Sequence, residues 1–202
     1  REHAPSAAVL TEPAPRDTGP ALVYAAHRIR EQVGECVLCC LPSDHRVDGD
    51  FQATVETACA VAARTGSLVT IGIEPTRAEK GYGYVEPGAD HGEYYEVESF
   101  TEKPDAETAH RYVESGYLWN SGTFAWTPTD FLAAASETEL RSLVEALEAG
   151  DPERGFEDCP SISVDYAVLE SAENVAVVPA SYEWDDLGSW DAFERLLDAD
   201  DE

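Results

Sequence analysis

Lysine and methionine are the residues that this sequence most clearly lacks. There is no methionine, and lysine occurs only as Lys80 and Lys103, whereas 41 acidic residues stand against 13 lysines and arginines. The formal net charge of −28 makes the anionic surfaces of nucleic acids and membranes unfavourable partners. Apolar residues nevertheless make up 43% of the chain, which predicts an ordinary folded core. Because such a surface repels itself in dilute buffer and is screened at high salt, we expect a halophilic protein.

The sequence also has no long apolar run and no signal-peptide pattern. A membrane-spanning helix needs about 18 or more apolar residues in succession, so the sequence predicts a cytoplasmic protein. The five cysteines are an odd number, which argues against a disulfide framework. A C-x-x-C occurs in "CVLCC" (36–40), but it lies inside an apolar run and fits small buried side chains better than a metal site. The 202 residues are most simply one domain, residues 1–202.

Helical and strand patterns alternate in the first third of the chain. "DTGPALVYAAHRIREQ" is amphipathic, with Thr18 as the expected N-cap and Pro20 in the first turn. The runs "CVLCCLP" (36–42) and "SLVTIGI" (67–73) do not alternate, which is typical of strands buried on both faces of a parallel sheet. A helix from Phe51 to Gly66 separates them. This order predicts an α/β protein.

The remainder of the chain continues as a mixture of strands and helices. Extended segments are predicted at 94–100, 117–126 and 175–180. Helices are predicted in "DAETAHRYVESG", "TDFLAAAS", "TELRSLVEALEAG", "SVDYAVLESA" and "GSWDAFERLLD".

Asp44 follows a predicted strand and Asp186 precedes a predicted helix, and residues at both kinds of position can bind a ligand. Asp44 lies just beyond the strand that ends at Pro42, and ligands of open α/β sheets bind beyond the carboxyl ends of strands. A carboxylate there could hold a divalent cation. Asp186 in "WDDLGSW" has the same potential. For each residue the alternative is a purely structural one, in which the side chain starts a turn or caps a helix.

Lys103 in "FTEKPD" is the more unusual residue, since the chain otherwise uses arginine. A lysine ammonium is a compact point charge suited to a phosphate oxygen or sugar hydroxyl in a tight site. Pro104 is expected to hold Lys103 extended, and Glu102 could orient the ammonium or bind a sugar. The alternative is a surface pair of Glu102 and Lys103 worth less than about 1 kcal/mol.

Two small-residue segments could allow a ligand to approach the backbone closely. Gly81 and Gly83 in "EKGYGYV" permit this, although they match neither a dinucleotide-binding nor a P-loop pattern. Asn120, followed by Ser121 and Gly122, could hydrogen-bond a sugar hydroxyl. A simple turn explains that segment equally well on local grounds.

Six segments, in this order, together resemble the sugar nucleotidyltransferases, and most closely the mannose-1-phosphate guanylyltransferases. They are "EPAPRDTGPA", "LPSDH", "GIEPTRAEKGYGYVEPG", "FTEKPDAETAHRYVESGYLWNSGTFAW", "PSISVDYAVLE" and "EWDDLGSW". The resemblance implies a Rossmann-like mixed, mostly parallel sheet with flanking helices, of the nucleotide-diphospho-sugar transferase type. It also implies a Mg²⁺-dependent reaction of GTP with mannose 1-phosphate that gives GDP-mannose and pyrophosphate.

The resemblance assigns roles to particular residues through the matching motifs. Asp44 and Asp186 are expected to hold Mg²⁺, and Lys103 is expected to contact the sugar phosphate. The other expected substrate contacts are Glu102 and Asn120 to the sugar hydroxyls, Gly83 beside Tyr82 to the sugar, and Arg16, Thr18 and Pro20 to the guanine and ribose. The family usually reads "RNTAP" where this chain has "RDTGP", so base selectivity is left open.

One family element has no match in the given residues. A glycine-rich loop of the type G-G-x-G-x-R-L-x-P-L-S, which grips the triphosphate, does not occur before "EPAPRDTGPA", so we expect the domain to be N-terminally incomplete. This leaves alternatives: a non-catalytic sugar-nucleotide-binding or regulatory subunit, an enzyme for another NTP or hexose 1-phosphate, or a halophilic α/β domain without such a site. A homodimer is also left open.

Overall fold

The computed structural model describes residues 7–186, which form eight strands, six α-helices and one π-helical turn. The helices are α1 (Thr18–Val33), α2 (Phe51–Thr65), α3 (Ala106–Glu114), α4 (Pro128–Ala135), α5 (Arg141–Glu148) and α6 (Pro152–Asp158), and the π-turn is Asp165–Leu169. The strands are β1 (Leu38–Cys40), β2 (His45–Gly49), β3 (Leu68–Ile73), β4 (Gly83–Asp90), β5 (Tyr95–Glu102), β6 (Leu118–Trp126), β7 (Val175–Pro179) and β8 (Tyr182–Asp186).

Six of these strands form a central mixed sheet in the order β1-β6-β3-β7-β5-β4, and β4 also pairs with β6. The mixed α/β architecture predicted from the sequence is confirmed. The predicted excess of parallel pairs is wrong within residues 7–186, because β3 and β7 pair in parallel while the other pairs of this sheet are antiparallel. The long hairpin of β4 and β5 and the reversed direction of β6 account for the difference.

The hydrophobic core lies on both faces of the sheet. One face packs against α1, α4, α5 and the π-turn, and Trp126, Phe131 and Leu143 are among its fully buried side chains. The other face packs against α2 and α3 around Ile71 and Tyr84. Because β3 lies inside the sheet and is covered on both faces, all six of its residues are buried. The predicted strand at 67–73 is therefore confirmed.

Several other predicted elements are confirmed with small shifts of their ends. The segments 94–100, 117–126 and 175–180 form β5, β6 and β7, and the predicted helices after Phe51, Asp105, Thr127 and Thr138 form α2, α3, α4 and α5. The predicted helix in "SVDYAVLESA" is a π-helical turn. Four elements had no counterpart in the prediction, namely α6, β2, β4 and β8. The predicted helix in "GSWDAFERLLD" (188–198) lies outside the described residues.

The predicted strand at 36–42 is shorter and more exposed than its apolar pattern suggested. β1 contains three residues, all partly buried, and it lies at the edge of the described sheet, antiparallel to β6. Leu41, which follows it, is 54% exposed. The expectation of a strand buried on both faces is therefore wrong for the described part of the chain, because all three residues of β1 are only partly buried.

The N-terminal cap of α1 also differs from the prediction. Asp17, with a φ of 71°, occupies the cap position, and its carboxylate accepts a 2.7 Å hydrogen bond from the backbone N–H of Thr18. The predicted cap residue Thr18 is instead the first helical residue, and its hydroxyl accepts a hydrogen bond from the N–H of Val164. The helix start is thereby attached to the π-turn.

A separate two-stranded sheet of β2 and β8 lies beside the carboxyl ends of the parallel strands, since β8 begins shortly after β7 ends. Neither strand shows a strong period-2 apolar pattern, and β2 is exposed at four of its five residues. Such a strand forms because its partner is nearby rather than because of its own sequence. Within residues 7–186, no helix has both the length and the apolar character that crossing a bilayer requires.

Candidate active site

Pairing of β2 with β8 brings the two predicted metal-binding aspartates to one end of the small sheet. Asp44 immediately precedes β2, and Asp186 is paired with His45, the first residue of that strand. The indole N–H of Trp184 donates a 3.1 Å hydrogen bond to Nδ1 of His45. Burial lowers the pKa of His45, while the nearby charges of Asp186 and Asp44 oppose that shift. We call these four residues, Asp44, His45, Trp184 and Asp186, the acidic half of the site.

An aromatic group connects the acidic half to the central sheet. The ring of Tyr82 contacts the rings of Trp119 and Trp184 edge-on, with centroids 5.2 Å apart in both cases. The guanidinium of Arg77 lies over Trp119 at 5.2 Å, a favourable cation–π arrangement. Burial raises the pKa of the Tyr82 hydroxyl, and the charge of Asp186 raises it further. Tyr82 is therefore a close neighbour of the acidic half.

Tyr82 is also bound to Lys103, the residue predicted to contact the sugar phosphate. The backbone N–H of Lys103 donates a 3.2 Å hydrogen bond to the carbonyl of Tyr82. The ammonium of Lys103 donates a 2.6 Å hydrogen bond to Oε1 of Glu102, and this bond is the main reason why the pKa of Lys103 is raised. The Lys103 side chain is 53% exposed, whereas that of Glu102 is 7% exposed. A charged, accessible cation thus lies on an almost buried carboxylate.

The backbone of Lys103 does not have the extended conformation that Pro104 was expected to impose. Its φ is 49°, in the left-handed region that residues with a Cβ rarely adopt, so that expectation is wrong. Its hydrogen bond to Tyr82 lies directly beyond the last pair of β4 and β5, Gly83 and Glu102. Strained backbone of this kind is concentrated at functional sites, because the surrounding structure must hold it there.

Gly83 is required at its position by the close approach of Glu102. Gly83 and Glu102 are paired in β4 and β5, and a Cβ added to Gly83 would lie 2.5 Å from Oε2 of Glu102. The same Cβ would lie 3.2 Å from the Cβ of Asn120. The absence of a side chain at Gly83 therefore allows Glu102 and Asn120 to adjoin one another. We call Gly83, Glu102, Lys103 and Asn120 the Lys103 half of the site.

Asn120 lies in strand β6, at the edge of a bulge formed by residues 121–123, rather than in a turn. The register of β6 against β3 shifts between Thr70, paired with Phe124, and Gly72, paired with Asn120, so β6 contains two additional residues there. Gly122 has a φ of 70°, which suits the bulge, and its N–H donates to Oδ1 of Asn120 at 3.1 Å. Bulges redirect side chains and are frequent beside active sites. This one places Asn120 beside Glu102.

The three residues predicted to lie along the nucleotide are engaged by the protein itself. The guanidinium of Arg16 donates to the carbonyls of Phe156 and Glu157, and Pro20 is buried. Thr18 accepts from Val164, next to the π-turn. The structure does not bring these residues together with either half of the site, and their contact with guanine and ribose stays a prediction.

Sequence reasoning missed three residues that the structure places at the site: Asp165, Arg77 and Trp184. Each lies within one of the motifs that carried the resemblance, "PSISVDYAVLE", "GIEPTRAEKGYGYVEPG" and "EWDDLGSW". Their membership of these motifs was the sequence signal that could have identified them. Their contacts with Asn120, Trp119 and His45 span 45, 42 and 139 positions of the chain and cannot be read from local patterns.

Comparison with known proteins identifies the family of the chain. A family model described as "Nucleotidyl transferase" matches residues 2–202, which is nearly the whole chain. The chain belongs to the nucleotidyl transferase family. The family resemblance inferred from the six sequence segments is confirmed.

The curated relatives that the chain matches are longer than the chain. It is 41% identical over 201 residues to a mannose-1-phosphate guanylyltransferase of Sinorhizobium fredii, covering 91% of this chain and 39% of the relative. It is 38% identical over 209 residues to the mannose-1-phosphate guanylyltransferase of Escherichia coli, covering 93% of this chain and 44% of the relative. The chain thus spans less than half the length of these relatives.

A solved structure supports the fold of the chain. A crystal structure from Thermus thermophilus, described as a mannose-1-phosphate geranyltransferase, superposes with a TM-score of 0.89 at 36% identity, covering 97% of this chain and 59% of that one. A UDP-glucose pyrophosphorylase complexed with UDP-glucose superposes with a TM-score of 0.61 at 14% identity, covering 92% of this chain and 62% of that one. At this identity the likeness supports the fold alone.

Proposed function

We propose that the protein containing this chain transfers the guanylyl group of GTP to mannose 1-phosphate, which gives GDP-mannose and pyrophosphate. The proposal is supported by the similarity to the guanylyltransferases of Sinorhizobium fredii and Escherichia coli. The observation that carries it is the position of Tyr82, whose ring contacts Trp184 in the acidic half while its carbonyl accepts a hydrogen bond from Lys103. The predicted metal ligands and the predicted phosphate-binding cation therefore border one region.

The reaction is a single displacement at phosphorus. An oxygen of the sugar phosphate attacks the α-phosphorus of GTP. The bond from that phosphorus to the oxygen that bridges to the β-phosphate breaks, and pyrophosphate leaves with the electron pair. Catalysis of such transfers depends mainly on positioning and on neutralising phosphate charge.

Lys103 supplies the cation that the attacking sugar phosphate needs. Its side chain is more than half exposed and its ammonium is held in place by Glu102, so it can bind a phosphate oxygen without first being ordered. A local cation matters because the net charge of the chain is −28. Without it, a doubly charged phosphate would meet mainly carboxylates.

The residues of the acidic half fit a magnesium ion. Asp44 directly precedes His45 in the chain, and Asp186 is paired with His45 across β2 and β8. Mg²⁺ is commonly held by one or two carboxylates together with substrate phosphates and water. Among residues 7–186, no group of three or more His, Cys, Asp or Glu side chains could hold a metal by itself. When bound, the ion would neutralise charge on the phosphates.

Release of pyrophosphate from GTP and mannose 1-phosphate tests the proposal. Because the relatives are longer, the assay uses the complete natural protein that contains this sequence, in molar KCl with MgCl₂. Asp186→Asn should abolish Mg²⁺-dependent release while the circular dichroism spectrum stays unchanged. Glu183→Gln is the matched control, since it makes the same chemical change on the opposite face of β8. Undiminished release by Asp186→Asn would remove Asp186 from the metal site.

The other interpretations give different results in the same assay. Binding of GDP-mannose without turnover would indicate a sugar-nucleotide-binding or regulatory subunit. Turnover with UTP, or with glucose 1-phosphate in place of mannose 1-phosphate, would change the assigned substrates. Absence of both binding and turnover would leave a halophilic α/β domain of other function.

We also propose properties of the protein that rest on composition and resemblance. The five cysteines are free thiols in the structure, which suits a cytoplasmic location. Halophilicity would appear as a melting temperature that rises with KCl concentration. A single domain over residues 1–202 and a homodimer stay predictions, which limited proteolysis and light scattering would test.

A further inference from the structure

The amide of Asn120 is fixed by hydrogen bonds at both of its ends. Its Oδ1 accepts from the hydroxyl of Thr70 at 2.7 Å and from the N–H of Gly122 at 3.1 Å. Its Nδ2 donates to Oδ1 of Asp165 at 2.8 Å. A flip of the amide would place donors against the N–H of Gly122 and an acceptor against the carboxylate, so one orientation is strongly favoured.

These hydrogen bonds leave Asn120 able to make one further hydrogen bond to a ligand. A side-chain amide oxygen has two acceptor sites, and here both are used. The amide nitrogen has two hydrogens, of which one goes to Asp165. Among the described residues the second hydrogen has no partner. Asn120 can therefore serve a bound sugar as a donor of one hydrogen bond and not as an acceptor.

Asp165 is an unfavourable residue for the stability of this part of the fold. It begins the π-turn, and it adjoins a second carboxylate, that of Glu102. Burial, and then the charge of Glu102, raise the pKa of Asp165 to about 6, although Asn120 and Lys103 act in the opposite direction. A neutral residue would avoid this cost. A carboxylate kept beside Glu102 and Asn120 despite this cost points to a role other than stability.

The π-turn that carries Asp165 is bound to the Lys103 half. Oε1 of Glu170 accepts a 2.8 Å hydrogen bond from the backbone N–H of Glu102, and the hydroxyl of Tyr166 donates to the carbonyl of Glu102 at 3.4 Å. At its other end the turn is attached to Thr18 of α1. Asp165 therefore has a defined position relative to Glu102 as well as to Asn120.

We propose that Asp165 is a positioning residue that orients the amide of Asn120, so that its remaining N–H is presented as a donor to a hydroxyl of the sugar phosphate. This inference rests on the proposed function, since it assigns the sugar to the Lys103 half. Asp165 acts through Asn120 and takes no part in the transfer itself. Its removal should affect recognition of the sugar phosphate and leave recognition of the nucleotide unchanged.

Kinetics of Asp165→Leu and Asp165→Asn test the inference in the complete protein. Asp165→Leu should raise the KM for mannose 1-phosphate about tenfold, as expected for one misplaced hydrogen bond, with the KM for GTP unchanged within about twofold. Asp165→Asn keeps an acceptor oxygen for Asn120 and should restore part of the loss. Asp158→Asn, an exposed acid at the end of α6, is the control for the change in charge. An unchanged KM for mannose 1-phosphate in Asp165→Leu would overturn the inference.

A second readout separates this inference from the proposed function. The side-chain amide of Asn120, labelled with ¹⁵N-asparagine and identified by its loss in Asn120→Ser, should exchange its hydrogens with water more rapidly in Asp165→Leu than in the wild type. If the wild type neither binds GDP-mannose nor releases pyrophosphate, the proposed function fails, and accelerated exchange would still support positioning by Asp165. Equal exchange in the two proteins would contradict it whatever the activity.

Discussion

Trp184 donates a hydrogen bond from its indole nitrogen to Nδ1 of His45, and the two rings meet edge-on with centroids 5.1 Å apart. This contact joins β2 to β8 across 139 positions of the chain. It lies between Asp44, which precedes His45, and Asp186, which is two residues beyond Trp184. The contact therefore holds together the two strands that carry the proposed metal ligands.

Removal of this hydrogen bond should raise the Mg²⁺ concentration that the reaction requires, while it lowers the unfolding free energy only slightly. Trp184→Phe keeps an aromatic ring but loses the donor, which costs about 1 kcal/mol of unfolding free energy and loosens the two strands. The Mg²⁺ concentration for half-maximal pyrophosphate release should rise severalfold. Trp126→Phe is the control, because Nε1 of Trp126 has no hydrogen-bond partner in the described residues and lies in the core. An equal Mg²⁺ requirement in wild type and Trp184→Phe would contradict this role.

Gly83→Ala should displace the carboxylate of Glu102. The added Cβ would lie 2.5 Å from Oε2 of Glu102, so that carboxylate must move and Lys103 would lose its anchor. We expect GDP-mannose affinity, measured by calorimetry, to fall about tenfold or more. Gly81→Ala is the control two residues earlier, where the added Cβ would make an ordinary 3.6 Å contact with Glu79. Equal affinities of the two variants would show that the Glu102 carboxylate has room to move without consequence.

Substitution of Lys103 by glycine should lower activity without lowering stability. Lys103→Gly removes the positive-φ strain, so the unfolding free energy should stay level or rise by about 1 kcal/mol, while pyrophosphate release should fall sharply because the ammonium is lost. Lys103→Arg keeps the charge, but its larger forked guanidinium should also lower the rate. Lys80→Arg, at an exposed position, serves as the control. A near-normal rate for Lys103→Arg would make Lys103 a surface residue.

His27 should make the protein less stable in acid. Its side chain is buried in α1, and Nδ1 has no hydrogen-bond partner in the described residues. Burial lowers the pKa of His27 below 6.5, so the unfolded chain takes up the proton first and stability falls as the pH drops below about 6.5. In His27→Leu this part of the decline should disappear, as judged by urea unfolding between pH 8 and pH 5.

The comparison of His27→Leu with wild type is needed because other groups titrate in the same range. The pKa of Asp165 is raised to about 6, so its contribution has the opposite sign and is lost as the pH rises through that value. His45, whose pKa is also lowered, acts in the same direction as His27. Identical slopes of stability against pH in both proteins would show that His27 titrates alike in the folded and unfolded states.

The sequence by itself determined the elements whose signals are local. The continuous apolar run at Leu68–Ile73 predicted a buried strand, and Thr127 before Pro128 predicted the start of α4, because burial on both faces and helix capping leave direct marks on neighbouring residues. The six ordered motifs were sufficient to identify the family. The same motifs predicted that Asp44, Gly83, Glu102, Lys103, Asn120 and Asp186 are site residues.

Only the tertiary structure decided how those residues meet. β2 and β8 have weak strand signals and form because they pair with each other, which brings Asp186 to His45. The positive φ of Lys103, the bulge at Asn120 and the bond from Asn120 to Asp165 all arise from contacts between segments far apart in the chain. Local propensity acts over a few residues, whereas a binding site is made of distant side chains, so its geometry is set by packing and not by any one segment.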